Sequence, residues 1–130
     1  MPETKSYRPA IIQGGMGVAV SGWRLARSVA STGQLGVVSG TALDLVLARR
    51  LQRGDPDMRR AVEAFPDADV AARVLEAYFR EDGLPEGRPY KAIPMFTVDP
   101  RRRSLELATV GGFAEVWLAT LEPQALGETA

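Results

Sequence analysis

The stretch Ile11-Ile12-Gln13-Gly14-Gly15-Met16-Gly17-Val18, followed by Ser21-Gly22-Trp23, decides how the rest of the chain is read. Residues 9–13 form a short apolar run that reads as a buried strand, and Gly14, Gly15 and Gly17 end it in a tight turn. Glycine takes positive φ at no steric cost and lets another surface approach the backbone closely. Ser21 is placed to cap a helix over residues 22–32. Leu25, Ala26, Val29 and Ala30 fall on one face of that helix, and Gly33 stops it.

Working outward, Leu35-Gly36-Val37-Val38-Ser39 reads as a second apolar strand. Thr41 and Asp44 resemble a capping box for the next helix, with aspartate in place of glutamate. Leu43, Val46, Leu47 and Leu51 recur at helical spacing until Gly54-Asp55-Pro56 breaks the pattern. Met58, Ala61, Val62 and Phe65 make one further helical stripe, and Val70, Val74, Leu75 and Tyr78 another, with Pro66-Asp67 between them. Asp55, Asp57, Asp67 and Asp69 match no calcium-loop pattern and read as helix caps and turn formers.

Residues 82–89 form a Gly/Pro-rich loop. Residues 93–98 read as a strand interrupted early by Pro94, which suits an edge or a strand start. Asp99-Pro100 opens a turn and a helix to about Val110, Gly111-Gly112 closes it, and residues 113–119 read as a further strand. This alternation of strands and helices predicts an α/β fold with a parallel sheet.

In parallel α/β folds ligands lie at the C-terminal ends of the strands, where the glycine turn would sit. The turn is not a dinucleotide fingerprint, because Gly15-Met16-Gly17-Val18-Ala19-Val20 lacks the third glycine, and no Gly-Lys-Ser/Thr of a phosphate loop follows. Taken alone it fits either a bare strand-to-helix turn or a cradle that presents backbone amides to a flat ring.

Composition narrows the chemistry. The chain has 130 residues, 45% hydrophobic and 25% charged, which is ordinary for a globular domain. Sixteen basic residues balance sixteen acidic ones, so no general attraction to nucleic acid or anionic lipid is expected. Cysteine and histidine are absent, which removes thiolate metal sites, thiol nucleophiles and the commonest general base. Chemistry must rest on carboxylates, lysine, tyrosine, hydroxyls or a cofactor. Residues 1–8 lack a signal-type apolar core, and no run is long enough to span a membrane, so a cytoplasmic location is expected.

Residues 9–41 resemble the start of nitronate monooxygenase (2-nitropropane dioxygenase-like) flavoproteins. The matching pieces are Ile11-Ile12-Gln13-Gly14-Gly15-Met16-Gly17, Ser21-Gly22-Trp23-Arg24-Leu25-Ala26 and Gly33-Gln34-Leu35-Gly36-Val37-Val38-Ser39-Gly40-Thr41. Looser similarity continues through Leu47-Ala48-Arg49-Arg50-Leu51, Ile93-Pro94-Met95-Phe96-Thr97 and Glu115-Val116-Trp117-Leu118-Ala119.

The resemblance implies a partial (β/α)8 TIM barrel, its first strand–helix units carrying an inserted helical segment, over residues 1–119. It implies FMN held by Gly14, Gly15, Met16 and Gly17, with Ser39, Gly40 and Thr41 at the same mouth. It further implies oxidation of nitronates or a related carbon acid, a small-molecule substrate, with oxygen. A whole barrel of this kind takes roughly 200 to 250 residues or more, and the family's later phosphate site and catalytic histidine have no counterpart here. Residues 120–130 do not resemble the family's continuation; the expectation is a truncated or frameshifted, inactive portion with a disordered tail. A small α/β binding module, self-associating through an exposed sheet edge into a homo-oligomer, and a nonfunctional remnant are the alternatives.

Other features have plainer readings. Arg101-Arg102-Arg103 reads as a solvated face, although arginines at a helix start oppose the helix dipole and suggest an anionic neighbour. Glu76, Glu81 and Asp82 read as surface groups. Trp23, Trp117 and the apolar stripe within residues 70–79 read as packing residues, with the stripe exposed for self-association should a barrel be incomplete.

Overall fold

The apolar spacings that predict helices in the middle of the chain are borne out, whereas those that predict strands are not. The computed structural model describes residues 8–121. Its helices are α1 (Trp23–Ala30), α2 (Leu43–Gln52), α3 (Pro56–Glu63), α4 (Ala68–Tyr78) and α5 (Arg102–Thr120). Among the described residues there is no strand, and a single parallel bridge joins Ile12 to Leu35. The α/β class and the partial TIM barrel are therefore overturned in favour of a helical fold, and the sheet edge expected for homo-oligomer contact does not form in these residues.

The helix starts follow local chemistry where aspartate supplies it. Asp55 Oδ1 accepts from the N–H groups of Asp57 and Met58, and Asp67 Oδ1 from those of Asp69 and Val70, all at 3.0–3.1 Å. These caps meet orphan donors of the first turns of α3 and α4. Two other expected caps fail. Gly22 rather than Ser21 precedes α1, and Ala42, with φ at 52°, precedes α2 without a side-chain cap. Asp44 bonds its neighbour Leu45 instead.

Both expected strand segments of the first unit stop pairing after one step, for a visible reason. Gln13 N–H donates to Leu35 C=O at 3.0 Å and Leu35 N–H to Ile11 C=O at 3.1 Å. One residue pair further on, side chains take over. Gln13 Nε2 donates to Val37 C=O at 3.0 Å, Ser21 Oγ donates to the same carbonyl, and Val37 N–H reaches Gln13 Oε1 at 3.4 Å. The Val37 groups that would extend a ladder are thus spent on Gln13 and Ser21. Gly36 lies against α1 so closely that an added Cβ would sit 2.0 Å from the Ala26 carbonyl oxygen. Residues 93–98 run without regular structure, leaving Met95, Phe96 and Val98 exposed.

The largest correction concerns residues 113–119. They continue α5 straight through Gly111-Gly112, as one helix of 19 residues, about 28 Å long at 1.5 Å per residue. Leu107, Val110, Ala114 and Leu118 all face inward, at helical spacing, and are 3% exposed or less. Burial of that face outweighs the roughly 1 kcal/mol each interior glycine costs a helix. Trp23 from α1, Leu47, Ala48 and Leu51 from α2, Met58, Ala61 and Val62 from α3, and Val70, Ala71 and Val74 from α4 complete the core. Phe113 meets Phe65 edge to face at 5.3 Å between ring centroids.

The two interior glycines of α5 differ in what surrounds them. A Cβ on Gly111 would lie 2.6 Å from the Leu43 carbonyl oxygen, so this glycine lets α5 touch the start of α2. A Cβ on Gly112 would make only ordinary contact, 3.7 Å from Leu43 Cδ1. Opposite effects are expected in urea unfolding: Gly111→Ala loses about 1–3 kcal/mol to the forced displacement, whereas Gly112→Ala gains about 0.5–1 kcal/mol of helix propensity. Shifts of the same sign would contradict the close approach at Gly111.

Candidate functional site

Gln13 and Ser21 bring the two glycine-bearing segments together. Ser21 is almost fully buried; its hydroxyl receives Gln13 Nε2, and its carbonyl accepts the Ser39 N–H at 2.8 Å. This stitching sets residues 14–20 beside residues 37–41. Gly15 faces Val37, whose Cγ1 would be 3.8 Å from an added Cβ. The two segments thus lie side by side, held by a side-chain clasp rather than by a sheet.

Gly14, Gly15, Met16 and Gly17 are all exposed. A Cβ added at Gly14, Gly17 or Gly40 would meet no protein atom within 4 Å. Among the described residues, the N–H groups of Gly14, Gly15, Met16 and Gly17 donate to no backbone carbonyl; residues 14–16 are irregular, and the turn follows them at residues 17–20, closed by Val20 N–H on Gly17 C=O at 3.2 Å. Ile11, Ile12, Met16, Val18 and Val20 present apolar side chains around it. Gly40 and Thr41 are exposed as well, but Ser39 is buried, and its hydroxyl accepts the Thr41 N–H at 3.3 Å. Ser39 thus shapes its loop and offers a ligand little surface.

Backbone strain concentrates at this place. The non-glycine residues with positive φ among the described residues are Ala19, at 57°, and Ala42, at 52°. One closes the glycine turn and the other follows Thr41. Left-handed backbone costs an alanine roughly 1–2 kcal/mol, and such strain gathers where a chain is shaped for a task.

Behind the turn lies a buried ion pair that the sequence reading missed. Glu115, in the middle of α5, accepts the Trp23 N–H at 2.8 Å through Oε2 and the Arg50 guanidinium through Oε1. It therefore caps α1 from another helix and ties α1, α2 and α5 into one junction. Burial pushes its carboxyl above the usual carboxylate range, Arg50 and the Trp23 N–H pull it back, and Asp55 adds to the rise. The available signal was a lone carboxylate inside the apolar run from Phe113 to Leu118. Both bonds hold structure, so Glu115 is not free to act as an acid or base.

No group of three or more metal-ligating side chains occurs among the described residues. No helix there is long and apolar enough to cross a membrane. Comparison with family models, curated proteins and solved structures finds no match. Residues 1–7 and 122–130, including nearly all of the expected tail, lie outside the described part.

Glu115→Ala is expected to cost about 3 kcal/mol, because it leaves Arg50 without its counter-ion and α1 without its cap. The pH dependence has a definite sign. A carboxyl raised in the folded state binds its proton more tightly there than in the unfolded chain. Its contribution is fully present below the ordinary carboxylate pKa and is lost as pH rises through the folded value. The stability of the wild type relative to Glu115→Gln should accordingly fall as pH rises through and above the ordinary carboxylate range in urea unfolding. A difference that grows with pH would show that Arg50 outweighs burial.

Proposed function

We propose that the segment Gly14, Gly15, Met16 and Gly17, with Gly40 and Thr41 beside it, is a surface for the ring of FMN. The chain would then be part of an oxidoreductase of the nitronate monooxygenase type, acting on a nitronate or related carbon acid. The observation that carries this reading is the open backbone: space beside Gly14, Gly17 and Gly40, and N–H groups at residues 14–17 without backbone acceptors among the described residues. A flat, heteroatom-edged ring fits such a place, because it needs close approach and donors rather than side chains. The motif resemblance over residues 9–41 supports the same cofactor independently of the barrel, which the described residues do not form.

When bound, FMN supplies the electron transfer and the reaction with oxygen. The contribution of this chain would be to orient the ring through backbone N–H groups and to cover it with Met16 and Val18. With no histidine in the chain, no proton-transfer role is assigned to a side chain.

A second reading, self-association, is favoured by one observation. Met95, Phe96 and Val98 are 85%, 50% and 106% exposed along one irregular segment, an apolar surface that a second copy of the chain would cover. A concentration-dependent dimer in sedimentation, lost in Phe96→Ser, would support it.

The FMN proposal is tested by titrating the purified chain into FMN and following flavin fluorescence. Saturable quenching is expected. Gly14→Val places a side chain in space that no protein atom occupies, so the melting temperature should hold while affinity drops at least tenfold. An absence of quenching by the wild type, or equal affinity in Gly14→Val, would defeat the assignment.

A further inference from the structure

A cleft of about 550 Å³ opens between α4, residues 91–94 and the first turns of α5, away from the glycine turn. We infer that this cleft binds a small amphipathic oxyanion, a carboxylate or phosphate ester carried on an apolar body. The volume falls within the range of small-molecule sites, roughly 300–1,000 Å³.

Charge and shape agree on this ligand. Arg73, Lys91 and Arg103 line the cleft against Glu76 and Glu106, three positive charges to two negative. Glu106 is already engaged, by Arg73 at 2.8 Å and Arg102 at 3.2 Å. Arg103 has no carboxylate or hydrogen-bonding partner among the described residues, although it lies near enough to Tyr78 to influence its hydroxyl. Lys91 Nζ reaches only the Ala77 carbonyl, at 3.3 Å, and stands 5.3 Å from the Tyr78 ring centre. The Tyr78 phenol is protonated and able to donate at neutral pH, and burial and Asp44 raise its pKa further against the pull of Arg103. A guanidinium, an ammonium and a phenol thus share one wall system with donors to spare. Arginine's planar fork suits the two oxygens of a carboxylate or phosphate.

The rest of the lining is apolar, with Val74, Ala77, Pro94 and Leu107 offering the surface on which a hydrocarbon body would rest. The wall carrying Lys91 is fixed by the buried side chain of Gln52, which accepts the Lys91 N–H at 2.6 Å and donates to the Lys91 carbonyl at 3.3 Å. The start of α5 adds a further preference. Its first turn has no acidic residue and no side-chain cap, while Arg101, Arg102 and Arg103 stand at the positive end of the helix dipole. An anion beside Arg103 relieves that repulsion and meets the uncapped end.

Hexanoate and hexyl phosphate, titrated separately into the full chain by calorimetry, test the inference. At least one should bind saturably, one to one, and more tightly than inorganic phosphate or acetate, because the apolar body contributes. Binding of hexanoate alone would mark a carboxylate site, and binding of hexyl phosphate alone a phosphate site. Arg103→Ala, whose side chain is exposed, should leave the melting temperature unchanged and weaken binding at least tenfold. Glu76→Gln should tighten it several-fold by removing a negative charge from the lining. Failure of both probes to saturate, or affinities unaffected by Arg103→Ala, would overturn the assignment.

Discussion

Glu115 sits on the inner face of α5, where a carboxylate is costly, and the placement of α1 and α2 follows from how that cost is met. One oxygen takes the first free N–H of α1 and the other takes the guanidinium of Arg50 on α2. A carboxylate only 2% exposed is tolerated only while both partners stay in place. The junction therefore fixes the entry of α1 and the rotation of α2 about the long helix. Arg27 adds a second tie between α1 and the end of α5, through the Leu121 carbonyl at 3.1 Å.

With α1 and α2 held in this way, the segments on either side of α1 run side by side over a short distance only. Their parallel contact at Ile12 and Leu35 is a strand pairing that Gln13 and Ser21 interrupt at once. The same interruption leaves the glycine turn projecting with open backbone. Candidate site and missing ladder thus have one cause: side chains meet the Val37 backbone groups, and the residues beyond remain available to something else. Strain at Ala19 and Ala42 bounds the same surface.

The oxyanion cleft has a different origin. It depends on the Gln52 clamp, on the approach of α4 to the start of α5, and on a run of arginines with too few carboxylates nearby. In the sequence the run reads as a solvated face with a hint of an anionic neighbour. Nothing local joins Arg103 to Tyr78 and Lys91, which lie 25 and 12 positions earlier. Only packing makes neighbours of residues so separated.

Local chemistry alone determined α3 and α4, whose aspartate caps and apolar stripes are complete within a few residues. It also determined α1 nearly to its ends, whereas the turn expected at Gly14, Gly15 and Gly17 lies further on, at residues 17–20. It misjudged residues 113–119, because an apolar run after two glycines satisfies strand and helix patterns alike. The deciding term was the continuous face from Leu107 to Leu118, which acquires its value only against α1, α2 and α3. Likewise, whether residues 9–13, 35–39 and 93–98 become strands depends on partners for their backbone groups, and those partners are set by distant side chains. Caps and helical stripes are short-range and legible. Strand pairing, the buried Glu115 junction and the cleft are long-range, and the tertiary structure alone decided them.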